Sequence, residues 1–460
     1  MSPTATATAN GLWERASAEA IRTFVTQRLL ETIARAYEQV PFYRSFYRAA
    51  GLNPARLRTL SDIHRDVPLL SKADLLAFQD GHPLADVRQP GVRQIHLTSG
   101  TSGSGREVHL RDSRDLAALG TGGAYAYLWA GLKEGERLLL TIPYSQTMAG
   151  PYFQASCEAA HVVPVNGFVL DTEARVQALR SYRCAGLSAT PSHLHRLTVV
   201  AREAGLKPAA DMPSLRSIFL SGEPYGTQWA LGMQEFWGAR IHEGWGATQT
   251  MGVALATCSA GALVMNGGSA ARGTLHGLDH RVFVEVLGQD GGEVEPGGRG
   301  EIVISTLRAS AMPCIRFRMG DEVRRDPRPG CACGMQFSRY EAGTLRRLDN
   351  MIKIRGMNVW PEAVDDAILE MSAVADYRGS VYTDDDGREQ VLLEVEILPT
   401  GRTGDLEKAL ERRVKVAVGI TPIVRAVPPG TLADPAGAGD GPFKARRWSD
   451  HRAAIQEPQA

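Results

Sequence analysis

From about Gly91 onward, short apolar runs alternate with helical stretches, and this alternation restricts the fold more than any other feature of the chain. RLLLTIPY (Arg137 to Tyr144), HVVPV (His161 to Val165), LRSIFLSGE (Leu215 to Glu223) and GEIVIST (Gly300 to Thr306) are bounded by Gly and Pro. Such runs suit strands buried on both faces, and a sheet of that kind needs helices over it, which is the α/β class. Ahead of them, Trp13 to Ala50 sets Ile21, Phe24, Val25, Leu29, Ile33 and Tyr37 at helical spacing and stops at Gly51, predicting a helical entry segment.

The composition changes near Arg347. Beyond it come a short strand MIKIRG, a helix opened by Pro361, strands near YRGSVYT and QVLLEVEIL, and a helix GDLEKALERRVKVAVG. This order predicts a large N-terminal domain, 1–348, with mixed sheets and flanking helices, and a small α+β domain, 349–460. The last stretch, LADPAGAGDGPFKARRWSD, is too rich in Ala, Gly, Asp and Pro to predict a packed element. It contains Lys444, one of only seven lysines against 44 arginines, so lysine is not the default basic residue here.

Lys+Arg and Asp+Glu are both 51, so nothing global favours nucleic acid or an anionic membrane, and a small neutral or anionic ligand is expected instead. The N-terminus has no basic region followed by an apolar one, and no run of about 18 apolar residues occurs, which predicts a cytoplasmic protein. Six cysteines are too few for a disulfide scaffold in a chain of 460 residues.

HLTSGTSGSGREVHL (His96 to Leu110) contains eight consecutive residues drawn from Thr, Ser and Gly. A Walker A loop needs a lysine that this stretch lacks, which excludes a P-loop NTPase. Its glycines still let backbone N–H groups converge on an anion, and its hydroxyls add donors. A plain surface turn is the alternative for such a run in isolation.

Further stretches resolve that choice. VPFYRSFYRAAGL, VPLLSKADLL, LSGEP, EGWGATQT, IRFRMGDEVRR, RRLDNMIKIRGMNVWPEAV and KARRWSD occur in this order. Together they resemble the phenylacetate-CoA ligase branch of the adenylate-forming superfamily over nearly the whole chain. The resemblance implies that Thr98, Ser99, Gly100, Thr101, Ser102 and Gly103 hold the β- and γ-phosphates of ATP. The family's loop lysine is Ser104 here, with Arg106 two residues on as a substitute cation. It also implies that Ser221, Gly222, Glu223 and Pro224 pass the adenine, and that Trp245 lies against it. Gly246 and Ala247 would floor the acyl pocket, with Thr248 at the α-phosphate. The motif's final acid, which helps to hold Mg²⁺, is Gln249 here; an amide oxygen can ligate the ion but brings no charge.

By the same resemblance Asp321 takes the ribose hydroxyls, Arg347 reaches the nucleotide, Asp349 is the hinge and Lys444 is the adenylation lysine. Tyr144, Gly150 and Phe153 join Ala247 as candidates for the acyl pocket. Cys331 and Cys333, in PGCACG, can converge on one ion. The resemblance adds Cys258 and His276, implying a structural Zn²⁺ site; buried thiols and a surface histidine are the alternative reading.

The expected activity is therefore ATP-dependent conversion of a carboxylic acid, aromatic by resemblance, to acyl-AMP, followed by transfer to coenzyme A. A carrier-protein thiol or another nucleophile is the alternative acceptor. A degenerate nucleotide-binding regulatory protein is the rival of a different class, favoured by Ser104 and Gln249. A homodimer is the expected assembly.

Overall fold

The computed structural model describes residues 11–81, 91–98, 106–142, 148–266, 269–309, 311–371, 373–384, 386–398, 403–428, 431–432 and 447–452. The entry segment is helical, as expected, and contains the helices Ala18–Gln39 and Pro41–Ala49. Pro41 has no N–H to donate and its ring blocks a continuing turn, so it falls at the start of a new helix. The first helix, capped by the Ser17 side chain, buries Ile21, Val25, Leu29 and Ile33 along one stripe.

The centre is an eight-stranded sheet. Its order runs Arg339–Glu341, Thr274–Gly277, Gly252–Thr257, Arg240–Ala247, Ser217–Leu220, Gly186–Ala189, Arg137–Leu140 and Val163–Asn166. The last five of these strands are parallel to one another, and helices such as Ala149–Ala159 and Pro191–Glu203 lie between them in sequence. Leu138, Leu139, Leu187 and Ile218 are fully buried, as strands covered on both faces require. Val163–Asn166 departs from that expectation because it is an edge strand, partly exposed along its length.

Arg299–Thr306 is buried over most of its length, but in another sheet. It is a middle strand of a second, antiparallel sheet with Val282–Leu287, Phe317–Arg324 and Arg346–Arg347. Residues 288–298 are too short to carry a crossover helix, so the chain turns back on itself.

The small domain has its own core, including Ile354, Val364, Ile368, Val381, Leu393, Leu410 and Val414, whereas the main core runs from Ile21 to Ala342. Its sheet is ordered Ile423–Val427, Glu389–Ile397, Val374–Thr383, Trp448–Asp450, with Pro361–Leu369 and Thr403–Val418 as helices. The last strand corrects the expectation that 432–450 supplies no packed element. Trp448 lies over Gly379, where a Cβ would meet its ring at 2.7 Å, and its indole N–H donates to the Tyr377 hydroxyl at 3.0 Å. One aromatic side chain is enough to anchor a strand that composition argued against. No described helix is long and apolar enough to cross a membrane.

Candidate functional site

The Gly/Ser/Thr stretch joins two antiparallel strands, Val92–Leu97 and Val108–Asp112. A Walker loop instead runs from a strand into a helix whose N-terminus faces the phosphates. Two hydrogen bonds clasp the base of this loop: the Thr98 N–H donates to the Glu107 carbonyl at 3.0 Å, and the Glu107 N–H to Thr98 Oγ1 at 2.9 Å. Ser99, Gly100, Thr101, Ser102 and Gly103 lie outside the described residues, and Arg106 is exposed.

Trp245, Gly246 and Ala247 end the strand Arg240–Ala247, which turns through Thr248 and Gln249 into Gly252–Thr257. A Cβ at Gly246 would lie 2.1 Å from the Gly252 carbonyl oxygen, so the closeness of these strands requires glycine. The turn is held from beneath by the strand that follows the Gly/Ser/Thr stretch. Arg111 Nη2 donates to the Thr248 carbonyl at 2.7 Å, and Gln249 Nε2 donates to Glu107 Oε2 at 2.6 Å. His109 Nε2 lies 3.0 Å from the same oxygen, and Lys72 Nζ lies 3.8 Å from Oε1. Burial pushes the His109 imidazole down, against the pull of Glu107.

Glu107, His109 and Arg111 were missed in the sequence. Their signal was visible as ionisable residues at every second position, alternating with Val108 and Leu110. Such alternation ordinarily marks a solvent face, but here all five residues are buried. A second buried acid, Glu243, accepts from the Tyr225 hydroxyl and the Gly343 N–H, both at 2.6 Å. Burial pushes its carboxyl up. It ties the Trp245 strand to the turn that precedes Arg347.

Asp321 and Arg347 are register partners on neighbouring strands, with Nη1 3.4 Å from Oδ2. Gly222 has a φ of +86°, and Glu223 beside it accepts from the Ser192 N–H and hydroxyl, both at 2.9 Å. Ser221 and Pro224 flank these two. Across the seam from Glu223 stands Arg447 of the small domain, with Nε 3.1 Å from Asp376 Oδ1. Burial works against its charge, but Asp376, Asp365 and Glu223 outweigh burial and hold it above the ordinary arginine value. Lys444, three residues earlier, is outside the described residues, as is Tyr144. Asp349 falls in the short 3₁₀ turn Leu348–Asn350, between the two cores. Gly150 and Phe153 ride on Ala149–Ala159, whose Tyr152 hydroxyl accepts from the Val253 N–H at 2.7 Å, so this helix packs against the strand that follows the Trp245 turn.

Cys258, His276, Cys331 and Cys333 converge, with one ligand atom from each lying within 4.8 Å of all the others. Cys258 Sγ is 3.7 Å from Cys331 Sγ, and Cys333 Sγ is 3.4 Å from His276 Nε2. Sulfur ligands bound at about 2.3 Å to one tetrahedral zinc stand roughly 3.8 Å apart, so the donor set and spacing fit that ion. Hydrogen bonds from Cys258, Cys333 and His276 hold the Cys331 thiol well below the ordinary range. Burial opposes charge on His276, but Cys331 and Cys333 push it up to about 9. A zinc ion held by these four side chains would take the place of the protons on the thiols and the imidazole.

Residues 54–312 match the AMP-binding enzyme family and residues 356–452 the AMP-binding enzyme C-terminal domain. The phenylacetate-coenzyme A ligase of Thermus thermophilus is 29% identical over 435 residues, covering 90% of this chain and 93% of that protein. Among solved structures, a 2-hydroxyisobutyryl-CoA ligase in its postadenylation state with 2-HIB-AMP is 24% identical, with a TM-score of 0.80 over 95% of this chain and 90% of that one. The same ligase with 2-HIB-AMP and CoA in its thioesterification state is 25% identical, with a TM-score of 0.64 over 95% of this chain and 91% of that one.

Proposed function

The chain belongs to the AMP-binding enzyme family, and we propose that it is an AMP-forming acid–thiol ligase, activating a carboxylic acid with ATP and passing the acyl group to coenzyme A. The observation that carries this reading is the pairing of Asp321 with Arg347 across one ladder, which sets a diol acceptor beside a phosphate-binding cation. The full-length similarity to a phenylacetate-coenzyme A ligase supports an aromatic acid.

In the first step, a carboxylate oxygen attacks the α-phosphorus and the bond to the bridging oxygen breaks, releasing pyrophosphate. Backbone amides and hydroxyls of the 98–103 loop hold the departing phosphates, Thr248 contacts the α-phosphate, Trp245 covers the adenine, and Asp321 holds the ribose. Mg²⁺, when bound, neutralises phosphate charge. Lys444 supplies the remaining cation for the charge that builds on the phosphoryl oxygens. Three residues span at most about 11 Å, so the seam position of Arg447 supports delivery of Lys444 to the cleft. In the second step, the thiol sulfur attacks the acyl carbon, the bond to AMP breaks, and the thiol proton leaves to solvent.

Domain 349–460 swings about Asp349 between these steps, withdrawing Lys444 and presenting its other face to the thiol. The higher TM-score against the relative's postadenylation state than against its CoA-bound state supports an arrangement on the adenylate side of that cycle. Zn²⁺ on the four-residue cluster clips two strands and a loop and takes no part in the chemistry. We further propose a cytoplasmic homodimer, an assembly that light scattering tests.

Acid-dependent exchange of labelled pyrophosphate into ATP tests the reading, over benzoates, hydroxylated and aminated benzoates and arylacetates. Exchange with an aryl acid, and product with free coenzyme A, are expected. No exchange across the panel would leave a regulatory nucleotide binder. Product only with a carrier protein would move the acceptor.

A further inference from the structure

At the nucleotide site an amide and an acid from distant parts of the chain are in contact. Position 249, where the resembled family carries an acid, holds an amide, while position 107, just after the phosphate loop, holds a carboxylate only 3% exposed. The two side chains touch, with Gln249 Nε2 2.6 Å from Glu107 Oε2. Only the nitrogen of the amide can face that oxygen, because an amide oxygen there would repel it. Glutamate has the shape of glutamine, so an acid at 249 would set a second carboxylate against the first in a buried setting, where like charges interact strongly. The contact admits one acid and one amide, and here the acid stands on the strand side.

Its place decides what this carboxylate can do. Thr98 and Glu107 clasp the loop assigned to the β- and γ-phosphates, and Gln249 follows Thr248, assigned to the α-phosphate. Glu107 thus joins the base of the first segment to the residue beside Thr248, and brings a carboxylate to that junction. Oε2 is taken by Gln249 and His109, while Oε1 lies 3.8 Å from Lys72 Nζ, beyond hydrogen-bond distance. Magnesium favours charged oxygen ligands, which Gln249 alone does not provide. We infer that Glu107 supplies the protein's carboxylate ligand for the nucleotide's magnesium, with Gln249 and His109 as positioning residues that fix its orientation. This inference rests on the ATP reading above. The competing role for Glu107 is as a structural counter-ion to Lys72.

The test uses the full chain titrated with ATP in the presence and absence of Mg²⁺, with bound Mn²⁺ followed by electron paramagnetic resonance when ATP is added. Wild type is expected to bind ATP more tightly with the metal. Glu107→Gln is expected to lose about 10- to 100-fold of that preference, together with the protein-bound Mn²⁺ signal, while still binding metal-free ATP. The double variant Glu107→Gln/Gln249→Glu keeps one acid and one amide in contact and is expected to regain most of the preference. It also carries the test if the single variant does not fold. A folded Glu107→Gln protein with the wild-type magnesium preference would overturn the inference, as would a folded double variant lacking it. Wild type that binds no ATP in either condition would defeat the functional reading and this inference together, whereas failure of the inference alone leaves ATP binding intact.

Discussion

The Cys/His cluster and the nucleotide cleft both draw residues from distant parts of the chain, yet they are assembled differently. Cys258 follows one strand of the central sheet, His276 sits on its neighbour, and Cys331 and Cys333 lie in a turn leading to the next strand. Those side chains are brought within 4.8 Å of one another by paired strands and the turn beside them, within one core. The cleft, as proposed, would instead take Thr98, Glu223, Thr248 and Asp321 from separate loops and strands, and its lysine from a second domain. A site made by one sheet is complete once the sheet has formed. A site split between two domains can be opened and closed, as two half-reactions require.

The sharpest attempt to break this contrast is Lys444→Ala. It should cut adenylation by at least about 100-fold while sparing thioesterification from supplied acyl-AMP; equal loss of both steps in stopped-flow assays would show that the cleft is not divided as described. Asp321→Ala should raise the KM for ATP roughly 10- to 100-fold through loss of a charged acceptor, with zinc content by metal analysis unchanged. Cys331→Ser should do the reverse, removing about one zinc per chain and lowering the unfolding midpoint by roughly 5 °C, with ATP affinity kept. A zinc-free variant that no longer binds ATP would merge the two sites into one.

The smallest effect concerns the wall between them. His242 lies on the Trp245 strand, stacked on Phe219, and its Nδ1 stands 3.4 Å from Thr257 Oγ1, one residue before Cys258. Burial, aided by Arg240, pushes its imidazole down to about 3. The folded state therefore holds this proton more weakly than the unfolded chain, whose ordinary value is about 6.5. Its contribution to stability is full above pH 6.5 and is lost as pH falls from there towards 3. Denaturant midpoints should drop across that window, and His242→Phe should flatten the slope by at most about 1.4 kcal/mol per pH unit. An unchanged slope would remove His242 from the shared wall.

Patterns that depend on neighbours along the chain were legible in the sequence. Apolar runs gave the parallel strands, Pro361 marked the start of a helix, and the Gly/Ser/Thr stretch stood out by composition. Features set by distant partners were not. Arg299–Thr306 reads like its parallel counterparts, and only the short return segment distinguishes it. Glu107, His109 and Arg111 read as a wet face because their partners, Thr248 and Gln249, lie far along the chain and become neighbours only on folding. Trp448 reads as tail until Gly379 is known to leave room for its ring.

That last strand has a consequence for the tail that carries Lys444. Leu432 is buried, with its N–H donated to Glu396, and Trp448 is paired into the sheet, so the chain is anchored on either side of Lys444. A lysine on such a closed span is presented at an effective concentration set by the length of the span, and lengthening the span dilutes it roughly as the inverse three-halves power of that length. Without Trp448 the same lysine would hang from a single attachment, and its local concentration at the cleft would fall although no residue touching the nucleotide had changed.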